Sequence, residues 1–155
     1  MKIRKYKSSD IERIVRITET AWGDNTLYKL IEDRHGVIDK VKWQDKKVKD
    51  IVKFCKENPD NIIIADIDGM VAGYATFSIA NSVGYVKNNA VGPEYQGQGI
   101  GTAMNQWIID YFRNNGVALA LVSTMEHDKA ARHVYEKNGF REITKIVEYS
   151  LDLRQ

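Results

Sequence analysis

Along the first sixty residues apolar side chains recur every three or four positions, and from Asn61 onward the rhythm shortens to two or fuses into continuous runs. The first period predicts helices and the second strands. Ile3 and Tyr6, set among basic residues, predict a short opening strand. Ser9-Asp10-Ile11-Glu12 has the form of a capping box, a hydroxyl at the N-cap and a carboxylate three residues on. A helix is therefore expected there, with Ile11, Ile14, Val15 and Thr18 on one face and Gly23-Asp24-Asn25 at its end. Two more helices are expected before residue 60. One covers Leu27–Asp33, followed by a turn at His35-Gly36; the other starts near Gln44, carries Val48, Ile51, Val52 and Cys55 as its apolar stripe, and stops at Asn58-Pro59-Asp60.

The β-branched run Asn61–Ile67, the dipeptide Asp68-Gly69 and the run Met70–Ile79 predict an antiparallel hairpin. A strand over Gly84–Val91 then leads through Gly92-Pro93-Glu94-Tyr95 into Gln96-Gly97-Gln98-Gly99-Ile100-Gly101. The helix that follows runs to about Asn115, with Met104, Trp107, Ile108, Tyr111 and Phe112 as its stripe and Gly116 as a left-handed stop. Val117–Thr124 is apolar enough for a strand buried on both faces. Asp128 suits the cap of a last helix closed by Gly139, and the alternation across Phe140–Leu153 predicts one or two final strands. The order β-α-α-β-β-β-α-β-α-β describes an α+β fold, a mixed and mostly antiparallel central sheet flanked by helices. Residues 1–155 are expected to form one domain.

Composition narrows the partners. A chain of 155 residues buries roughly 68–70% of its unfolded surface, enough for a core without disulfides or structural metal. The lone Cys55 excludes an intrachain disulfide framework and multi-cysteine zinc sites, and fits a reducing, cytoplasmic setting. His35 and His133 show no metal-ligand spacing with each other or with Cys55, so no metal is expected. The start, Met1 to Tyr6, carries charges where a signal peptide needs an apolar run, and no 18 apolar residues follow one another, so no membrane association is expected. The net charge of +2 is too small to argue for nucleic acid. Basic residues are denser early: the Lys40–Lys56 stretch holds seven lysines, which read as a solvated helix face or, more sharply, as a surface for an acidic partner.

The Gln96–Gly101 loop lies between a strand and a helix, where main-chain N–H groups and the helix dipole favour an anion such as phosphate. Glycines let the backbone approach that anion and adopt positive φ. A P-loop would require Gly-x4-Gly-Lys-Ser/Thr, and this loop has no lysine. A dinucleotide fingerprint would open a parallel βαβ unit and place an acid about 20 residues on, whereas this loop follows a hairpin region and no acid is well placed. What the residues do match is Gln/Arg-x-x-Gly-x-Gly/Ala, as Gln96-x-x-Gly99-x-Gly101.

On that loop, and on Asp128-Lys129-Ala130-Ala131-Arg132-His133-Val134-Tyr135-Glu136-Lys137-Asn138-Gly139-Phe140 about 40 residues later, the sequence resembles the GCN5-related N-acetyltransferase (GNAT) superfamily. The resemblance implies acetyl-CoA as cosubstrate. The amides of Gln96, Gly97, Gln98, Gly99, Ile100, Gly101 and Thr102 would bind its pyrophosphate, and its pantetheine arm would lie along the strand end Ala90-Val91, where two parallel strands splay. Thr102 either adds a hydroxyl donor or is a plain first-turn residue. By the same resemblance Tyr135 is the general acid for the departing sulfur, against its reading as a core aromatic. Asp128 stands where the family motif has Asn; its carboxylate can cap the helix but cannot donate to the pantetheine. Lys137 either approaches the adenosine phosphates or is solvated. No general base is evident: Gly84–Val91 holds no carboxylate, while Glu94, Glu126 and His127 lie in loops. Trp22, Tyr28 and Trp43 either border the acceptor pocket or belong to the core. The expected reaction is acetyl transfer from acetyl-CoA to a primary amine of a small molecule or peptide by direct attack on the thioester. The competing readings are a non-catalytic acyl-CoA-binding module and a protein lysine or N-terminal acetyltransferase. The alternating final strands suit a homodimer interface as well as a core.

Overall fold

Five strands form one sheet in sequential order in the computed structural model, which describes residues 1–154. β1 (Lys2–Lys5), β2 (Ile62–Ile67), β3 (Met70–Ala80) and β4 (Val83–Val91) pair antiparallel, and β5 (Leu119–Leu121) joins β4 in parallel. The hairpin between β2 and β3 turns on Asp68 and Gly69, both at positive φ, as the dipeptide predicts. Three helices separate β1 from β2: α1 (Ile11–Ala21), α2 (Leu27–His35) and α3 (Trp43–Glu57). α4 (Ile100–Asn114) follows the glycine loop and α5 (Lys129–Lys137) follows β5.

Strand alternation sorts the core into two layers. On one face Ile62, Ile64, Tyr74 and Ala90 meet Ile14 and Ile17 of α1 and Ile51 and Cys55 of α3. On the other, Ile63, Ala65, Ala75, Phe77 and Val86 meet Ile100, Met104, Ile108 and Phe112 of α4. Each face is apolar, so β2 and β3 read as near-continuous hydrophobic runs.

Polar groups on the β1 side are paired among themselves. Arg4 grips Asp10 through both terminal nitrogens, at 2.8 and 2.9 Å, and Asp66 through Nε at 2.7 Å. Asp10 also accepts from the Lys7 amide at 2.8 Å. Burial favours the neutral acid at Asp10, yet the bonds from Arg4 and Lys7 outweigh it and hold the carboxyl below its ordinary range. Next along β1, the Lys5 ammonium sits 4.7–5.4 Å from the ring centres of Phe77, Trp107 and Tyr111.

Three expectations need correction. α1 is not capped by Ser9: residues Ser8–Asp10 form a 3-10 turn, and Asp10 stands at the N-cap of α1 without a side-chain capping bond, its carboxylate going to Arg4 and the Lys7 amide. The strand expected over Val117–Thr124 shrinks to Leu119–Leu121 and is not buried on both faces, since nothing covers its outer edge and Leu119 is 53% exposed. The final strands do not form. Among the described residues no main-chain hydrogen bond joins 141–154 to the sheet, and Ile143, Ile146, Val147, Tyr149, Leu151 and Leu153 are 69–91% exposed. Ser150, Asp152 and Arg154 instead contact His35 at the end of α2. No helix is long and apolar enough to cross a membrane among the described residues.

Candidate active site

β4 carries the site because it parts from β5. The two strands pair only over Val83–Tyr85 and Leu119–Leu121, so from Val86 to Val91 the outer edge of β4 has no strand beside it. A β-bulge falls in the same stretch: Phe77 opposes Val86 and Thr76 opposes Asn88, leaving Lys87 as the extra residue. The bulge resets the alternation. Val86 points into the α4 layer, yet Asn88, two residues later, faces the α1–α3 layer, where its Nδ2 donates to Thr76 Oγ1 at 2.7 Å and its Oδ1 accepts from Lys47 Nζ at 3.2 Å. Asn89 turns back toward α4 and donates to the Gly101 carbonyl at 2.9 Å, tying the strand to the start of that helix.

The glycine loop leaves its donors unspent. Gly97 and Gly99 both lie at φ 77°, a left-handed conformation that a side chain would strain, and a Cβ at either would meet nothing within 4 Å. Gly99 is the N-cap of α4. Among the described residues, none of the main-chain N–H groups from Gly97 to Thr102 donates to a protein acceptor, and those of Ile100, Gly101 and Thr102 are the free donors of a helix start. Gly97, Gln98 and Gly99 are exposed and Ile100 is buried beneath them. Gln96 folds back onto the Val91 carbonyl at 3.3 Å. Thr102 is half-buried and its hydroxyl is free of protein partners. This cradle fits the diphosphate of coenzyme A: consecutive N–H groups at a helix N-terminus, with open space where side chains are missing.

α5 stands beside the cradle. A Cβ at Gly101 would come within 3.6 Å of Val134, and Asn138 donates to Gln106 at 3.2 Å. Tyr135 follows Val134, is half-buried, and packs edge-on against Phe140 with ring centres 6.0 Å apart. Burial, helped by the charge of Asp128, pushes its phenol up to about 12. Asp128 caps α5 through the Ala131 amide at 3.0 Å and accepts from Thr124 at 3.4 Å, so both its oxygens are engaged within the protein.

Of the three aromatic residues with two readings, Trp43 is core, 7% exposed, with its amide on Glu32. Trp22 and Tyr28 do not line the cavity of about 270 Å³ beside α3, but each touches a residue that does: Lys47 lies 4.1 Å from the Trp22 ring centre, and the Tyr28 hydroxyl donates to Asp50 at 2.5 Å. The cavity is lined by Lys47, Asp50, Ile51 and Phe54 of α3 and by Lys87 and Asn88 of β4. Sequence reasoning missed Lys47, Asn88 and Asn89. A signal was present in the paired asparagines, because Asn is depleted in strands and two in succession mark a break in the pleat. His127 lies outside the cavity lining, its Nε2 3.0 Å from the Asp24 carbonyl.

A sheet whose fourth and fifth strands splay beside a glycine cradle defines a class of acyl-CoA transferases. Residues 24–140 match the profile of the acetyltransferase (GNAT) family, and the chain belongs to that family. The general activity of the family is acetyl transfer from acetyl-CoA to an amine nitrogen. The chain is 27% identical over 155 residues to the uncharacterized N-acetyltransferase YhfO of Bacillus subtilis (strain 168), covering 99% of this chain and 98% of that one. It is 34% identical over 77 residues to the [ribosomal protein bS18]-alanine N-acetyltransferase of Escherichia coli (strain K12), covering 50% of this chain and 52% of that one. In fold it resembles the PaiA N-acetyltransferase of Thermoplasma acidophilum, solved in complex with coenzyme A, with a TM-score of 0.68 at 18% identity, covering 93% and 92% of the two chains.

Proposed function

We propose that the whole chain acts as one cytoplasmic N-acetyltransferase domain that acetylates the primary amine of a small molecule. The observation that carries this reading is the row of unspent N–H groups from Gly97 to Thr102 beside the splay of β4 from β5. In this reading Gly97 to Thr102 hold the diphosphate, Gln96 shapes the loop through its amide on the Pro93 carbonyl, and the free edge at Ala90 and Val91 takes the pantetheine amides as an added strand would. Acetyl-CoA supplies an already activated thioester. The protein's part is to aim it and to exclude alternatives.

The acceptor enters from the α3 side, through the cavity between Lys47, Asp50 and Asn88. Its volume of about 270 Å³ and its walls on α3 favour a small amine over a peptide lying in a groove. The amine must be neutral to attack; a bond forms from its nitrogen to the acetyl carbon, the bond from carbon to sulfur breaks, and the amine's proton leaves to solvent through the cavity mouth. Tyr135 serves the sulfur. Its phenol stays protonated across the neutral range, and a thiol of pKa about 8.5 is the stronger acid. Its hydrogen bond therefore steadies the negative charge that gathers on sulfur. Asp128 contributes by holding the start of α5.

The test is Tyr135→Phe assayed for acetyl-CoA turnover with a panel of amines. We expect kcat to fall about 100-fold with coenzyme A affinity retained. Unchanged kcat would remove Tyr135 from the chemistry, and a wild-type protein that binds coenzyme A but acetylates no amine would favour a binding module. We further propose a homodimer as the functional assembly, joined through the apolar tail that the sheet leaves uncovered.

A further inference from the structure

Lys47 is the one cation of α3 drawn inward. Lys46, Lys49, Lys53 and Lys56 surround it on the same helix, Lys49, Lys53 and Lys56 on its exposed side, while the Lys47 ammonium lies over the Trp22 ring and reaches Asn88. Burial pushes that ammonium below its ordinary value. Among the described residues no carboxylate lies within 4.0 Å of it, and the more distant charge of Asp50 offsets only part of the cost of taking it from water. Asp50, the carboxylate in the cavity wall, is engaged by Tyr28. The bulge brings a second ammonium, Lys87, to the same cavity. Two cations against one hydrogen-bonded carboxylate leave the cavity net positive, at the place where β4 opens. A pocket for a plain amine, itself a cation before it reacts, would carry the opposite balance.

We propose that the acceptor is an amine that also bears an anionic oxygen group, a carboxylate or a phosphate, and that Lys47, with Lys87, reads that group. Lys47 keeps two of its three donors for the ligand, since one goes to Asn88. The cation over Trp22 and the bond to Asn88 hold the ammonium in place without neutralising it, so the ligand supplies the missing charge. The small cavity, about 270 Å³, keeps the anionic group and the amine within one small molecule. The inference rests on the acetyltransferase reading and adds the class of acceptor to it.

The experiment compares matched acceptors that differ only in that charge, an amino acid with its carboxamide and an aminoalkyl phosphate with its amino alcohol, each with acetyl-CoA and the wild-type chain. We expect kcat/KM to favour the anionic member of at least one pair by about tenfold or more, and the pair that shows it identifies carboxylate or phosphate. Lys47→Met should bring that ratio toward one chiefly by raising KM for the anionic member, and Lys47→Arg should restore much of it. A role in folding alone would not produce a charge-dependent KM effect. Equal use of both members in both pairs, or preference for the neutral ones, overturns the inference and leaves the transferase reading standing. Should no amine turn over, the transferase reading falls, and direct calorimetric titration of the same pairs decides the pocket: equal affinity for both members overturns it, and tighter binding of the anionic one upholds it.

Discussion

The two sides of the sheet treat their polar groups in opposite ways. In β1 Arg4 and Lys5 are both matched: Arg4 is shared between two carboxylates, and Lys5 lies on three aromatic rings with its ammonium also on the Asp60 carbonyl at 2.7 Å. Around β4 and α4, among the described residues, the donors from Gly97 to Thr102 have no protein acceptor, the strand edge is bare from Val86, and Lys47 has no carboxylate within 4.0 Å. Matched groups add to stability and are silent toward ligands, whereas unmatched ones cost stability and invite them. Substitutions on the β1 side are therefore expected to move the melting temperature and leave chemistry intact, and substitutions on the β4 side to do the reverse.

The largest effect expected is at Gly99. A β-branched residue there cannot adopt φ 77° without a cost of roughly 1–2 kcal/mol, and the loop would rearrange to escape it, scattering the N–H groups. Gly99→Val is expected to weaken coenzyme A binding by more than about 100-fold, near 2.7 kcal/mol, with the melting temperature lowered only by the few degrees that the φ strain costs, because a Cβ there meets no other atom within 4 Å. Isothermal calorimetry with circular dichroism separates the two. Unaltered affinity would mean that the cradle is not the diphosphate site.

Asp10→Asn is the matching change on the other side. The amide keeps the shape but loses the charge that faces Arg4, a loss of about 2 kcal/mol, or about 4–8 °C in melting temperature for a chain of this size. Its pH dependence has a definite sign. Asp10 and Asp66 are both held below their ordinary values in the folded state, Asp66 chiefly by Arg4 and Asp10 by Arg4 and the Lys7 amide against the opposing effect of burial. Such groups add stability above their unfolded pKa, near 4, and that contribution is lost as pH falls through the folded value. The gap between wild type and Asp10→Asn should therefore narrow below about pH 4, while coenzyme A affinity at neutral pH stays the same in both. A gap constant down to strong acid would show that the ion cluster contributes nothing through charge.

How much of this was legible in the sequence follows the same division. β1 to β4 and all five helices lie where periodicity and turn residues place them, because each is buried against a partner close in the chain or strongly patterned. The glycine loop was legible since the conformation it needs is written in residue type, and Gly97 and Gly99 are at positive φ. What could not be read were features that depend on two distant segments at once. The bulge at Lys87 exists only in the register with Thr76 and Phe77, and it alone decides that Asn88 faces Lys47. At the start of α1, Asp10 stands at the N-cap with its carboxylate on Arg4, which Asp66 of β2 also holds, and it makes no side-chain capping bond to the helix. At the tail the alternation of residue types predicts strands, and among the described residues none forms.

That tail gives the smallest effect and the sharpest test of the contrast. Val147, Tyr149, Leu151 and Leu153 alternate with Glu148, Ser150, Asp152 and Arg154, and the polar set supplies the contacts to His35 while the apolar set stands in solvent. β5 meanwhile offers an edge with nothing beside it and Leu119 on its exposed side. A strand-patterned segment and an unpaired edge in the same chain complement each other, and the segment's polar residues are held at His35. Pairing with the β5 edge of a second copy satisfies both. Sedimentation across the micromolar range should show a dimer, and a chain ending after Arg141 should sediment as a monomer with coenzyme A affinity unchanged within about twofold, since the tail does not touch the Gly97–Thr102 cradle. A full-length monomer at all concentrations, or a dimer that survives the truncation, would place the partner of that apolar row elsewhere.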